Sequence, residues 1–199
     1  MKFFILLFLF ANLFAQEDYS LRVAYGKVTS SDFGEVLSGD IKSHPKDLTV
    51  FALDAGYLLQ QNTFDLPIDT YVKTGLSRFD EAGTHDNVYE FTLYIKLYYN
   101  IDFLDNRVRF GFGEGVSYTE SLLYAETLEA SENDDTNSHF LNYIDVSLDV
   151  DLGKLVRYEP LEGTSLGWAL KHRSGIYGVI NNVAHGGSNY NTVYIETKF

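Results

Sequence analysis

Hydrophobic and polar residues alternate with a period of two in eight segments of the chain. The fourth segment is the clearest, with apolar residues at every odd position from Tyr89 to Tyr99 and mainly polar residues between them. Successive side chains of a strand point to opposite faces, so this pattern predicts a strand with one apolar and one polar face. The eight predicted segments are Leu21–Gly26, Phe51–Leu59, Ile68–Leu76, Tyr89–Tyr99, Arg107–Phe112, Tyr143–Val150, Leu166–Lys171 and Tyr190–Phe199.

Two architectures produce such strands, a soluble antiparallel sandwich and a membrane barrel. The apolar faces here carry long aromatic and aliphatic ladders, the opposite faces carry charges of both signs, and the last predicted strand ends on Phe199, as outer-membrane barrels characteristically do. These features favour an all-β fold, an eight-stranded antiparallel transmembrane β-barrel. An arginine is then expected to destabilise the protein more at Leu93, on the apolar face, than at Thr92, on the polar face.

The N-terminal segment indicates how such a barrel would reach its membrane. Lys2 is followed by an apolar run from Phe3 to Ala15, which is too short for a membrane-spanning helix and ends on a small residue. We expect residues 1–15 to be a cleaved signal peptide and residues 16–199 to be the barrel domain. An exported barrel of this kind is expected in the outer membrane of a Gram-negative bacterium.

Composition excludes several other classes of protein. The net charge of −13 lacks the basic footprint that nucleic-acid binding requires. The absence of cysteine excludes a disulfide framework and thiolate metal sites. His44, His85, His139 and His185 lack the spacing of a metal site, so the sequence predicts neither a metal nor another cofactor.

The lengths of the connections predict the orientation of the strands. Residues 28–47, 119–139 and 175–189 form long connections after strands one, five and seven, whereas those after strands two and four are short. Long loops of outer-membrane barrels lie outside the cell, so the odd-numbered strands are expected to run outward. The connection of residues 152–164, after strand six, is longer than a periplasmic turn should be.

The longest loop is acidic, and two interpretations of it remain open. Carboxylates could hold a divalent cation that bridges to lipopolysaccharide phosphates, because hard cations prefer oxygen ligands. A solvated acidic loop is favoured, because no ligand spacing is recognisable. The acidic residues are Glu126, Glu129, Glu132, Asp134 and Asp135.

The end of the seventh strand carries the candidate chemistry. His172 and Ser174 have the same parity as Trp168, so both side chains are expected on the lipid-facing side near the outer rim. A polar group that faces lipid is costly unless it has a partner or a task. An imidazole two positions from a hydroxyl on one strand face is suited to nucleophile–base pairing.

Several segments near the C-terminus carry a family resemblance. They are the stretch His172-Arg-Ser-Gly-Ile-Tyr-Gly, then Asn181-Asn182, then His185-Gly-Gly-Ser-Asn-Tyr and the final strand; Gly113–Tyr118 adds a further match. Together they resemble the lipid A 3-O-deacylase family, in particular its acyloxyacyl-hydrolase-related branch. The resemblance implies an eight-stranded outer-membrane barrel in which a His-x-Ser pair on the outer wall removes an ester-linked acyl chain from lipid A. Lipid A, or the lipopolysaccharide that contains it, would be the partner.

The chain departs from the family where a glutamate would complete the triad, because Gly186 occupies that position. Asn189, Asn191 and Glu114 have the outward parity needed to orient an imidazole, and Asn189 is the candidate that we select. Glu196 has inward parity and is the poorer candidate.

The asparagine that follows the serine in the family is Gly175 here, so the donors of the oxyanion hole also differ. A backbone N–H of Gly175 or Gly178 is a candidate donor.

Two functions follow from these residues. The leading hypothesis is an outer-membrane esterase that acts on lipid A, with Ser174 as nucleophile, His172 as general base and Asn189 as the orienting residue. The alternative is a catalytically silent small barrel with a structural or loop-binding role.

Overall fold

The eight alternating segments form one closed antiparallel barrel in the computed structural model, which describes residues 18–199. Each strand pairs with its neighbours in sequence, and β8 closes the barrel by pairing with β1. The predicted eight-stranded all-β fold is therefore confirmed, whereas the signal peptide expected at residues 1–15 lies outside the described residues. The strands are β1 (Tyr19–Thr29), β2 (Thr49–Gln60), β3 (Ile68–Asp80), β4 (Val88–Phe103), β5 (Asn106–Thr119), β6 (Phe140–Asp151), β7 (Thr164–Ser174) and β8 (Ser188–Lys198).

The connections contain short helices, none of which the alternating pattern indicates. They are α1 (Phe33–Ser38) after β1, α2 (Tyr124–Glu132) after β5 and α3 (Leu152–Val156) after β6, with single 3-10 turns at Thr63–Asp65 and Glu159–Leu161. None of the helices in residues 18–199 is long and apolar enough to span a membrane.

The connection after β6 is long because it folds into a compact cap. The Asp151 carboxylate accepts hydrogen bonds from the backbone N–H of Lys154 at 2.9 Å and of Gly163 at 3.0 Å. The first bond caps the N-terminus of α3, and the second ties the end of the connection back to its start. The unexpected length therefore belongs to a folded turn at the end of the barrel opposite the long loops.

Buried ion pairs fill the interior of the barrel. Arg22 contacts Asp54 at 2.9 Å and Asp145 at 2.7 Å, and Lys96 also pairs with Asp145. These charged side chains are at most 3 % exposed. Charges taken out of water are tolerated only with close opposite charges and further hydrogen bonds, so the polar face predicted from the alternation is a packed electrostatic core.

This packing removes the basis for expecting an arginine to destabilise the protein less at Thr92 than at Leu93. Thr92 is fully buried, and its Oγ1 would lie only 2.6 Å from a Cβ added at Gly75. The interior of an eight-stranded barrel is just wide enough for its own side chains. An arginine there would overpack the core and add a cation to it.

The opposite face of the strands forms the outer wall of the barrel. Along β4, outward-facing residues from Tyr89 to Phe103 are 37 % to 63 % exposed, and the residues between Val88 and Tyr98 that face inward are at most 2 % exposed. Exposed apolar surface of this extent is unfavourable in water and stable against lipid. The predicted assignment of the two faces of β4 is therefore confirmed.

The outer wall generates a prediction about membrane depth. Leu93→Arg is expected to lower the free energy of unfolding by about 2–4 kcal/mol, because the guanidinium would lie in the apolar middle of the wall. Phe103→Arg is the matched control on the same face at the end of β4, with an expected cost of about 0–1 kcal/mol. Guanidinium unfolding in lipid vesicles measures both values, and equal costs would contradict the assigned depths.

The interior generates a second prediction. Asp145→Asn is expected to cost about 3–5 kcal/mol of unfolding free energy, because it leaves the buried Arg22 and Lys96 without their shared carboxylate. Asp102→Asn is the control, since Asp102 pairs with Arg107 at 2.8 Å on the surface, where ion pairs contribute little. The same unfolding measurement applies, and a small effect at Asp145 would contradict a dry, charge-paired interior.

Candidate functional site

The end of β7 is oriented by ion pairs inside the barrel. Lys171 Nζ lies 2.6 Å from Glu90 Oε2, and Arg173 Nε lies 2.7 Å from Glu126 Oε1. All four side chains are at most 5 % exposed. Because neighbouring residues of a strand point to opposite faces, His172 is turned to the outer wall.

Glu126 corrects the interpretation of the long loop as a solvated acidic segment. It lies on α2, is fully buried, and accepts hydrogen bonds from Arg173 and from Ser188 Oγ at 2.8 Å. Asp135 is also engaged, because it accepts backbone N–H groups of His185, Thr136 and Ala184. These donors hold the pKa of the Asp135 carboxyl below its usual range. The loop is therefore a folded cover over the outer mouth of the barrel, the end at which the long loops lie.

A chain of hydrogen bonds holds the imidazole of His172. Its Nδ1 lies 2.8 Å from Asn189 Oδ1, and Asn189 Nδ2 donates to the backbone carbonyl of Ser31 at 3.0 Å. A carbonyl oxygen only accepts, so it fixes the amide with Nδ2 towards Ser31 and Oδ1 towards the ring. His172 Nδ1 must then carry the proton, which leaves the lone pair of the neutral ring on Nε2.

Ser174 lies two positions further along the same strand face. It is the last residue of β7, is half-buried, and pairs across the sheet with Asn142 of β6. Residues i and i+2 of a strand are about 6.6 Å apart along its axis, so their side chains are neighbours. No hydrogen bond joins His172 to Ser174 among the described residues. The serine stands beside the imidazole on the outer wall.

The other residues considered for orienting the histidine are engaged elsewhere or lie too far away. Asn191 Oδ1 accepts a hydrogen bond from Trp168 Nε1 at 3.2 Å. Glu114 pairs with Ile144, which in turn pairs with His172, so a whole strand separates the carboxylate from the ring. Glu196 points into the barrel, where it contacts Lys73 at 2.7 Å.

The two backbone N–H groups considered as oxyanion donors, those of Gly175 and Gly178, differ in whether they already donate a hydrogen bond. Gly178 N–H donates to the Val183 carbonyl at 2.9 Å and is therefore already used. Gly175 N–H donates no hydrogen bond within residues 18–199. A Cβ at Gly175 would overlap the Val183 carbonyl, so the close approach of these two backbones requires glycine there.

Helix α1 lies against the outer wall beside the site. The Phe33 ring is centred 4.7 Å from the imidazole of His172, and Val36 packs with Val146 and Leu170. Leu170 is fully buried although it points out of the barrel. The first long loop therefore covers the wall next to His172 with an apolar surface instead of extending into solvent.

Hydrogen bonds within the first loop hold α1 in this position. The Glu35 carboxylate accepts the backbone N–H of Asp32 at 3.0 Å and pairs with Lys42 at 2.6 Å. The Lys42 N–H donates in turn to Ser31 Oγ at 2.9 Å. The segment that supplies the Ser31 carbonyl is thus fixed to the segment that supplies Phe33.

A polar cavity of about 500 Å³ lies on the loop side of Asn189. It is lined by the first loop, α2 and the last loop, and Ser31, Glu129 and His185 contribute to it. Burial raises the pKa of the Glu129 carboxyl, and nearby Asp32 raises it further. The site therefore has an apolar side at α1 and a polar side at the loops.

The four remaining histidines contact residues outside the proposed pair. His139 Nδ1 lies 2.9 Å from the Thr119 carbonyl, His185 lies 3.6 Å from Asp135, and His44 and His85 contact Tyr124. Within residues 18–199 no group of three or more histidine and acidic side chains is arranged to hold a metal ion.

Sequence reasoning missed two residues that lie beside the proposed pair. Ser31 acts through a backbone carbonyl, which no side-chain pattern signals. Asn142 shares the outward parity of Ile144 and Val146, so an amide in an apolar ladder was a signal that could have found it.

Comparison with known proteins identifies the fold. No protein-family model and no curated protein matches the chain. Among solved structures, the outer membrane enzyme PagL is similar, with a TM-score of 0.60 and 10 % identity over 90 % of this chain and 99 % of that one. Neisserial surface protein A (NspA) is similar with a TM-score of 0.50 and 14 % identity over 92 % of this chain and 98 % of that one. The shared fold and the apolar outer wall place this chain among the eight-stranded barrels of the Gram-negative outer membrane.

Proposed function

We propose that this protein is an outer-membrane esterase that hydrolyses an ester-linked acyl chain of lipid A. Ser174 is the nucleophile, His172 is the general base and Asn189 is the residue that orients the base. The observation that carries the proposal is the hydrogen-bond chain from the Ser31 carbonyl through Asn189 to His172 Nδ1. This chain selects the imidazole tautomer that a general base for a serine requires.

The position of the site supports a lipid substrate. His172 and Ser174 lie on the outer wall at the loop end of β7. Long loops of outer-membrane barrels lie outside the cell, so the pair would face the outer leaflet, near the boundary between acyl chains and sugar head group. Phe33 is half-buried against the imidazole, so part of its ring is apolar surface next to the pair, and Val36 and Leu170 pack beneath α1. The His-x-Ser resemblance and the fold shared with the outer membrane enzyme PagL favour the same chemistry.

The reaction proceeds in two halves. Ser174 Oγ bonds to the ester carbonyl carbon while its proton passes to His172 Nε2, and the carbonyl π pair moves onto oxygen. Collapse of this intermediate breaks the carbon–oxygen bond to the sugar, and His172 returns the proton to the leaving alkoxide. Water, activated by the neutral imidazole, then hydrolyses the acyl-serine and releases the fatty acid.

The alternative function is a catalytically silent barrel. One observation favours it: within the described residues, no hydrogen bond joins Ser174 to His172. In enzymes without bound substrate, however, such contacts are often long and tighten only in the complex. The esterase accounts for the oriented imidazole on a lipid-facing wall, which a silent barrel leaves without a role.

Replacement of the serine tests the proposed function. Ser174→Ala is expected to abolish release of fatty acid from lipid A in reconstituted vesicles, because the hydroxyl that bonds to the ester carbon is removed. Ser131→Ala, on the exposed surface of α2, is the matched control and is expected to retain activity. Mass spectrometry of lipid A measures both, and heat-modified electrophoretic migration checks folding. Wild-type rates in a folded Ser174→Ala protein would exclude the serine mechanism.

The base and its orienting residue are expected to contribute unequally. His172→Ala should slow acyl release by about 100-fold or more, because proton transfer from the serine is lost. Asn189→Ala should cost less, since the imidazole remains but its tautomer is no longer selected. Initial rates on the same vesicles give the order, and an Asn189→Ala loss equal to that of His172→Ala would contradict an orienting role.

The pH dependence provides an independent test of the base. Wild-type activity is expected to fall as the pH is lowered through the range in which imidazoles protonate, because only the neutral ring accepts the serine proton. The residual activity of His172→Ala should lack this decline. A decline that persists unchanged in His172→Ala would assign the titration to another group.

A further inference from the structure

We infer that the side-chain amide of Asn142 is a donor of the oxyanion hole of this site. The inference rests on the proposed function and extends it to a residue on a neighbouring strand. Its basis is the placement of Asn142 opposite Ser174 together with the burial of an unpaired amide group.

The barrel register sets Asn142 directly against the proposed nucleophile. Asn142 of β6 and Ser174 of β7 are cross-strand partners, and the preceding outward pair is Ile144 with His172. Side chains at directly opposite positions have Cβ atoms about 4.5–5.5 Å apart on the same face. The amide therefore lies on the outer wall within reach of an atom bonded to Ser174 Oγ.

The amide of Asn142 is buried without a partner. The residue is 5 % exposed, and its Nδ2 has no hydrogen-bond partner in the part of the chain that the structure describes. A buried donor left unpaired costs about 1–3 kcal/mol, and an apolar residue of similar size would avoid that cost. The next outward residues of β6, Ile144 and Val146, are apolar, so a donor at position 142 is an exception in its own ladder.

An oxyanion gives this donor a function. When Ser174 Oγ bonds to the ester carbon, negative charge develops on the former carbonyl oxygen, beside the nucleophile and away from the base. Asn142 Nδ2 would donate to that oxygen from the β6 side, and the unused N–H of Gly175 would donate from the residue after the serine. Donors fixed in place before the reaction stabilise charge strongly in a site that excludes water.

Asn191 provides a matched comparison on the same outer wall. Its Nδ2 is also buried without a partner, but its Oδ1 is bonded to Trp168 and its cross-strand partner on β7 is Leu170. It is thus an asparagine with the same unpaired group, placed away from Ser174. An effect that depends on the oxyanion should appear at Asn142 and be absent at Asn191.

The experiment compares Asn142→Leu with Asn191→Leu and the wild type, all as full-length protein in vesicles that contain lipid A. Two rates are measured, fatty-acid release and covalent labelling of Ser174 by a long-chain alkyl fluorophosphonate. Asn142→Leu is expected to lower kcat about 100-fold or more with little change in KM, and to slow labelling. In both reactions negative charge develops on an oxygen that would occupy the same position, the ester carbonyl oxygen or the phosphonyl oxygen of the reagent. Asn191→Leu should retain both rates. Heat-modified migration checks folding, and Asn142→Ala replaces the leucine variant if that variant does not assemble.

The outcomes separate this inference from the proposed function. An active wild type with a folded Asn142→Leu protein within about threefold of its kcat overturns the role of Asn142 and leaves the esterase intact. A wild type that labels with the phosphonate but releases no fatty acid contradicts the lipid A substrate, and the labelling rates then decide the role of Asn142. A wild type that neither labels nor releases fatty acid overturns both.

Discussion

Two buried carboxylates at the outer mouth, those of Glu90 and Glu126, determine which way β7 and β8 turn their side chains at the site. They hold Lys171 and Arg173 inside the barrel, and Glu126 also accepts the hydroxyl of Ser188. Arg173 and Ser188 are cross-strand partners, so the ion pairs fix the inward parity of β7 and β8 together. The preceding residue of β7 and the following residue of β8, His172 and Asn189, are consequently turned outward as a directly opposed pair. Breaking this cluster would leave charges buried without partners, which would strongly destabilise the fold.

The first long loop contributes contacts that hold both Asn189 and His172. Its Ser31 carbonyl orients the Asn189 amide, and its Phe33 packs on the imidazole that this amide holds. The loop is itself fixed by Glu35, which bonds both to the backbone of Asp32 and to Lys42. A segment 158 positions from Asn189 in sequence is therefore as much a part of the site as the strands that carry its side chains.

The sequence predicts the strands well because alternation is a local signal with a direct physical cause. It also predicts the outward parity of His172, Ser174 and Asn189, and this parity brings the imidazole and the amide to 2.8 Å from each other. The chemical roles of these residues remain predictions. Burial of Glu126 was not foreseen, because it depends on α2 folding back over the mouth to meet Arg173. The contribution of Ser31 cannot be predicted from the sequence for a similar reason. Every residue has a backbone carbonyl, and only the folded structure shows which one contacts Asn189.

The same loop explains why residue 189 carries an amide and not a carboxylate. A carboxylate at position 189 would face the Ser31 carbonyl with no hydrogen to share, and would bring an unpaired negative charge to a wall that faces lipid. An amide satisfies the carbonyl with its Nδ2 and the imidazole with its Oδ1, and it remains neutral while the ring is neutral. It also stabilises the imidazolium of the reaction less than a carboxylate would. On the proposed function, the protein therefore selects the tautomer of its base through hydrogen-bond direction rather than charge, and the loop that supplies Ser31 is part of that selection.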